Sequence, residues 1–413
     1  MHKRKRFLLI IILGLLSAIG PFSIDMYLPG FPAIAANLHT SIDRVAYSLS
    51  SFFIGICTGQ MLCGPLLDRF GRKKPLCFGL ILYIVASIGC SLSKSVEVLI
   101  AFRFLQAMGG CVGMVAPSAI VRDVFPVEEN AKVFSFLILI LGVSPILAPT
   151  AGSYIIAAFG WPILFIVLAT VAALILLLVI FFLQETRAPD PTFSLRPKPI
   201  ISGFSAALRE PQFYTYALAG AIASAGLFAY LAGSPFVFMK LYNVNEHQYG
   251  WIFSAIAVGL ISSSQLNNLV MKKFSSAQII RVVLLTQSII GLVLVIGTLS
   301  GFLGLYSTIF IIFLFLSCQG FTFPNSASLA MAPFEKGAGS ASALMGALQM
   351  CAGAIASALV GLFFNGTALP MTAIMAFCSV LGFTILIVGR KKIEYQARKE
   401  NAEEQCLEMI EKY

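Results

Sequence analysis

The chain alternates long apolar runs with short polar stretches, at a spacing that suits the thickness of a lipid bilayer. A helix that crosses a bilayer needs about 20 mostly apolar residues, so the uncharged intervals predict the elements directly. Residues 7–30 form a first predicted span, broken only by the charge of Asp25; 45–67 form a second, 75–93 a third, and 98–121 a fourth that carries Arg103. The run 133–184 is long enough for two spans, and Gly160, Trp161 and Pro162 supply the breakers for a turn inside it. Residues 211–239 and 247–271 predict spans seven and eight. Two further runs, 282–334 and 337–389, must each fold back once, near Ser300 and Gly301 and near Asn365 and Gly366. The pattern predicts an all-α integral membrane protein of twelve transmembrane helices.

Composition agrees, and removes several classes of function. With 58% hydrophobic and 11% charged residues in 413, the chain has too little polar surface for a soluble globule of this length. Its net charge of +10 sits in short clusters between apolar runs, not on one folded face, so no nucleic-acid partner is expected. Eight cysteines (Cys57, Cys63, Cys77, Cys90, Cys111, Cys318, Cys351, Cys378) lie in apolar stretches and Cys406 lies in the polar tail, which argues against a disulfide framework or a zinc site. His2, His39 and His247 fall near span ends or termini and form no metal-binding pair. No nucleophile, phosphate loop or metal cluster is visible, so neither an enzyme nor a bound cofactor is expected.

Lys and Arg are retained on the cytoplasmic side of membrane proteins. With the N-terminus inside, the basic clusters at 3–6, 69–74, 122–132, 187–209, 272–281, 336 and from 390 onward all fall in the cytoplasm. Arg44, Lys94 and Lys240 fall outside and Arg103 within the membrane, so both termini are predicted cytoplasmic. The basic N-terminus followed by an apolar run is similar to a signal peptide, but the run continues to Asp25 and Pro29 without a small-residue cleavage site and reads as an uncleaved helix.

The polar interval after span six, stiffened by Pro189, Pro191, Pro197 and Pro199, divides the chain into six spans and six. The predicted organisation is an N-terminal half over 1–184, a cytoplasmic linker over 185–210, a C-terminal half over 211–389 and a cytoplasmic tail over 390–413, whose last residues read as a short solvated helix. Laying the chain over itself places Ser50, Gly55, Arg69 and Phe70 on Ser254, Gly259, Lys273 and Phe274, as a duplicated transporter would. In that register Asp25 falls on Ala229 and Arg103 on Ser307, so any proton chemistry belongs to the N-terminal half.

Among the acidic residues only Asp25 lies well inside a predicted span, and among the basic ones only Arg103. A charge at a helix centre costs about 2.5–3.5 kcal/mol on insertion scales, so such residues usually face a partner or a watery cavity. Two readings of Asp25 stand open. Tyr27, Pro29 and Pro32 follow closely, which allows an acid solvated near the outer surface; alternatively it takes up and releases a proton, because burial and a nearby cation shift a carboxyl group in opposite directions. Arg103 is either a structural arginine bonding helix carbonyls or the cation that supports Asp25.

Gly64, Asp68, Arg69, Gly71, Arg72, Lys73 and Lys74, directly after span two, resemble the signature loop of the major facilitator superfamily. That resemblance implies the major facilitator fold of two six-helix halves. It also implies a cytoplasmic latch in which Asp68 and Arg72 meet an acid at the end of span four, here Asp123, and the facing half. An anchoring positive-inside loop would explain the lysines but not Asp68 and Gly71 at their spacing. Residues 99–109 are similar to the family's span-four motif, which gives Arg103 a role in proton transfer. Gly142, Pro145, Pro149 and Gly152 resemble the antiporter motif of span five, with Ser144 standing where a glycine is usual before the first proline. A purely structural use of these prolines and small residues for bending and close packing is also open.

Residues 23–32 resemble the first helix of the bicyclomycin and chloramphenicol resistance branch, the Bcr/CflA drug:proton antiporters. The implied function is efflux of drug-like amphipathic small molecules in exchange for protons, by a monomer in the bacterial inner membrane. Substrate contacts are expected near the midplane between the halves, from Tyr27, Gln106 and Met114 on one side and Tyr230, Gln265, Gln319 and Asn325 on the other; each could equally be helix–helix glue. The rival readings are a proton symporter importing a sugar, peptide or metabolite, and a non-transporting receptor or scaffold.

Overall fold

The computed structural model describes residues 3–190, 204–334 and 338–411. Linker residues 191–203, including Arg196 and Lys198, and Lys336 therefore lie outside the described residues. The described residues are helical with no strand, and they contain twelve helices long and apolar enough to cross a membrane. These run over Arg6–Asn37, Ile42–Phe70, Lys73–Ser91, Val96–Val124, Phe136–Phe159, Trp161–Phe182, Pro211–Leu241, Glu246–Val270, Ser276–Leu299, Leu305–Met331, Ala341–Leu362 and Leu369–Ile393. Three of the turns between them fall where breakers stand: at Gly160, whose φ of 82° suits glycine, at Ser300 and Gly301, and at Asn365 and Gly366.

Two elements depart from the expected pattern. The first span is a helix only to Asp25; it then passes through the short turn Leu28–Gly30 into a second helix, Phe31–Asn37. Pro29 and Pro32 have no backbone N–H to continue the ladder, which breaks the helix there. The tail is not a separate helix, since the twelfth helix continues unbroken from Leu369 to Glu411.

With twelve crossings both chain ends lie at one end of the bundle, the termini end. At the opposite, far end the two halves share a single apolar core; at the termini end the second half has its own, built on Phe213, Tyr216, Ile280, Leu284, Ala330, Ala341 and Leu386. Two seams join the halves. In one, span two meets span eleven: Ser50 Oγ donates to Ser357 Oγ at 2.8 Å, and the Cys57 thiol reaches the Ala347 carbonyl at 3.5 Å. Close by, Phe53 meets Phe228 of span seven edge to face at 4.6 Å. In the other, span five meets span eight. The repeat is visible in packing: a side chain on Gly55 would run into span four at Phe104 and Ala107, and one on Gly259 into span ten at Phe313 and Ser317.

Candidate functional site

Asp25 stands at the last position of the first helix because the prolines that follow stop it there. Its side chain is buried, and it is the only acidic residue buried among the described residues. It has no hydrogen-bond or ion-pair partner among them. The turn that follows it, Leu28–Gly30, packs against spans seven and eight of the other half, which carry Tyr230 and Tyr249. The Tyr249 hydroxyl is paired with Ser234 Oγ at 2.8 Å, whereas the Tyr230 hydroxyl is buried without a partner. Asp25 is thus buried where the first half meets the second, a neighbourhood that the reading of a solvated surface residue does not describe.

Arg103 is fully buried inside the N-terminal half and makes no ion pair with Asp25. Its guanidinium carbon lies 4.1 Å from the ring centre of Phe52 and 4.5 Å from that of Tyr27, and Nη1 donates to Gln106 Oε1 at 2.6 Å. Its Nε and Nη2 have no partner. From Gln106 the polar line continues to Ser87 at 2.8 Å, to the Tyr83 backbone, and by the Tyr83 hydroxyl to Ser23 at 2.6 Å, two residues from Asp25. The arginine is held by cation–π contacts and this line, not by a carboxylate.

The span-five stretch lies along the second seam, inside one continuous helix, Val127–Phe159, that accommodates both Pro145 and Pro149. Ser254 of span eight donates to the Ile146 carbonyl at 2.6 Å and lies 3.2 Å from Thr150 Oγ1; His247 lies 3.5 Å from Ser153 Oγ and its ring 4.5 Å from that of Tyr154. Gly142 faces Ile261 with ordinary spacing, while Gly152 is pressed on the backbone of Met26, next to Asp25. Ser144 bonds the Ile140 carbonyl of its own helix.

The structure brings Asp68, Arg72 and Asp123 together. Arg72 donates to Asp123 at 2.8 Å and to Asp68 at 2.9 Å. Burial works against the charge on Arg72, but the bonds and charges of Asp123 and Asp68 outweigh it and raise its proton affinity above the ordinary value. None of these contacts reaches the facing half. The further members come from the linker: Arg187 reaches Asp68 at 3.2 Å, Thr186 reaches Asp123 at 3.2 Å, and Glu185 accepts the backbone N–H groups of Arg72 and Lys73 at 2.6 and 3.2 Å. Glu185 thus places a carboxylate on the exposed amides at the start of span three, where the helix dipole favours it. Gly71 is needed twice, for its φ of 80° and because a Cβ would lie 2.7 Å from Glu185 Oε2. A Cβ added at Gly64 would meet nothing within 4 Å. Glu185→Ala should lower stability by about 1–2 kcal/mol through the lost cap, read as an earlier thermal transition of the purified chain; an unchanged transition would remove Glu185 from the latch.

The candidate substrate residues divide. Tyr27 and Gln106 are buried in the first half, where the Tyr27 hydroxyl pairs with Ser48 at 2.7 Å and Gln106 holds Arg103. Gln319 bonds Ser224 and the Ala223 carbonyl, and Asn325 bonds Asn267, all within the second half. These four act as glue between helices in this arrangement. Met114 is half-buried against Gly20, Gln265 is exposed, and only Tyr230 stands at the seam with an unused polar group.

Two pseudo-equivalent six-helix halves joined along seams are the architecture of a membrane transporter. The family model of the Major Facilitator Superfamily matches residues 13–359, and the chain belongs to that superfamily. It is 35% identical over 382 residues to an uncharacterized MFS-type transporter, YdgK, of Bacillus subtilis, covering 92% of this chain and 94% of the relative. It is 31% identical to a bicyclomycin resistance protein homolog of Haemophilus influenzae, over 92% and 95% of the two chains, and 30% identical to multidrug resistance protein MdtL of Escherichia coli, over 89% and 92%. Among solved structures, a bacterial homolog of the human lysosomal transporter Spinster in an inward-facing, unoccupied conformation superposes with a TM-score of 0.70 at 14% identity, covering 94% of this chain and 96% of that one. A D-xylose-proton symporter superposes with a TM-score of 0.69 at 15% identity, covering 92% and 97%.

Proposed function

We propose that the chain exports drug-like amphipathic small molecules in exchange for protons, across a bacterial inner membrane with both termini in the cytoplasm. The observation that carries this reading is the position of Asp25, a buried acid beside the turn that packs on the spans of the other half carrying Tyr230 and Tyr249. A neutral carboxyl group both donates and accepts hydrogen bonds, whereas a carboxylate only accepts. Taking up a proton therefore changes what Asp25 can exchange with the phenols, and with it the stability of the closed seam. Arg103 acts on Asp25 through the line of Gln106, Ser87, Tyr83 and Ser23, not by direct contact. With the termini cytoplasmic, the joined far end is the outer gate and the separate cores at the termini end face the cytoplasm, from which a drug is loaded. The outward direction of transport rests on the span-five stretch and on relatives named for bicyclomycin and multidrug resistance.

Expression in an efflux-deficient bacterium should raise resistance to some members of a broad panel of antibiotics and dyes, and collapsing the proton gradient should remove that resistance. Unchanged susceptibility across the panel would count against export. Reporter fusions at Thr192 and at the C-terminus should report cytoplasm and one at Asn37 the outside; a reversed signal would overturn the orientation.

A further inference from the structure

We infer that a groove on the membrane-facing side of the first half, between spans two, three and four, binds an anionic phospholipid, with one acyl chain along the groove and the phosphate at Lys74. The groove has a volume of about 330 Å³; its walls include Leu62, Leu66, Phe70, Phe78, Leu82 and Met108, and Lys74 is the one charged residue lining it. It is turned away from the halves' seam, which on span two uses Ser50 and Cys57. Phe78 is 71% exposed, Leu62 48% and Phe70 43%, so the groove is open on the side that meets lipid.

Its depth suits one leaflet. Lys74 to Leu82 covers about 12 Å at a rise of about 1.5 Å per residue, against about 15 Å for half of a hydrocarbon core about 30 Å thick. The groove thus runs from the middle of the bundle to the termini end, with the cation at the interface. The charge of Lys74 is also uncommitted. Of the four cations in the loop, Arg72 is bound by Asp68 and Asp123, Lys73 donates to the Ile180 carbonyl at 2.8 Å, and Arg69 stacks over Phe70 at 5.8 Å. Lys74 alone of the four has no hydrogen-bond or ion-pair partner among the described residues. A single ammonium beside an apolar trough attracts an amphiphile with a net negative head, while a zwitterionic head would bring its own cation against it.

The test uses the full chain in mixed vesicles, with Leu62→Trp placing a fluorophore in the half-exposed groove wall and its signal taken as the difference from the chain without that change. Quenching by brominated phosphatidylglycerol should be preferred over brominated phosphatidylcholine about five-fold, the ratio that one lysine at an anionic surface supplies. Adding Lys74→Gln should bring the preference to parity, and Lys74→Arg should keep it. Equal quenching by both lipids with Lys74 in place, or an undiminished preference in Lys74→Gln, would overturn the proposal. Displacement of both lipids alike by a drug-like cation would also overturn it, by making the groove a path for substrate.

Discussion

Asp25→Asn is expected to leave binding of an uncharged substrate intact and to abolish its uphill transport. The amide matches the carboxyl group in size and keeps a donor and an acceptor, but it cannot gain or lose a proton. A proton entering down a 100 mV potential supplies about 2.3 kcal/mol only if a group carries it, and no other acid among the described residues is buried. In proteoliposomes with an imposed pH gradient, the unaltered chain should accumulate substrate and release protons on binding, and the variant should do neither. Tyr230→Phe is the companion measurement: removing the unpartnered hydroxyl should weaken coupling without removing the carrier. Uphill transport by Asp25→Asn at unchanged proton stoichiometry would exclude Asp25 as the carrier and with it the coupling scheme.

Gly152→Ala should be nearly as damaging, for a steric reason. A Cβ there would overlap the Met26 carbonyl oxygen and stand 2.8 Å from its carbon, and backbone cannot swing aside as a side chain does. Overpacking of this kind costs about 1–3 kcal/mol, and here the strain falls on the turn that positions Asp25. Gly142→Ala is the control from the same stretch, since its Cβ would meet Ile261 at 3.7 Å, an ordinary contact. Transport lost in the first and kept in the second is the expected pattern; equal effects would mean that the two glycines serve a common bend and not separate contacts.

The spans were legible because a bilayer imposes length and apolarity on every crossing segment, and the turn glycines punctuate the long runs. The meeting of Asp68, Arg72 and Asp123 was implied by the resemblance of the loop after span two to the family's signature, and the three side chains are in contact. Glu185 was missed because its role is to accept backbone N–H groups of a helix far away in sequence, which leaves no spacing to read; an acid directly after span six was the available signal. The pairing of Asp25 with Arg103 followed from both being charged and intramembrane, yet aromatic faces and an amide can hold a guanidinium as well as a carboxylate can. Tyr27, Gln106, Gln319 and Asn325 show the general difficulty. A polar side chain in a span looks the same in sequence whether it faces a neighbouring helix or a cavity, and only the rotation of each helix decides between them.

The polar contacts of the seams include no ion pair among the described residues: Ser50 with Ser357, Ser254 with Ile146 and Thr150, Ser153 with His247, Cys57 with Ala347. Hydrogen bonds between membrane helices average about 0.6 kcal/mol, so parting the four hydroxyl contacts costs about 2.4 kcal/mol. That is close to the work available from one proton crossing a 100 mV potential, about 2.3 kcal/mol. If a proton drives the cycle as proposed, the polar part of the closure would match the size of a single driving event, strong enough to shut the gate between turnovers and weak enough to reopen on every cycle.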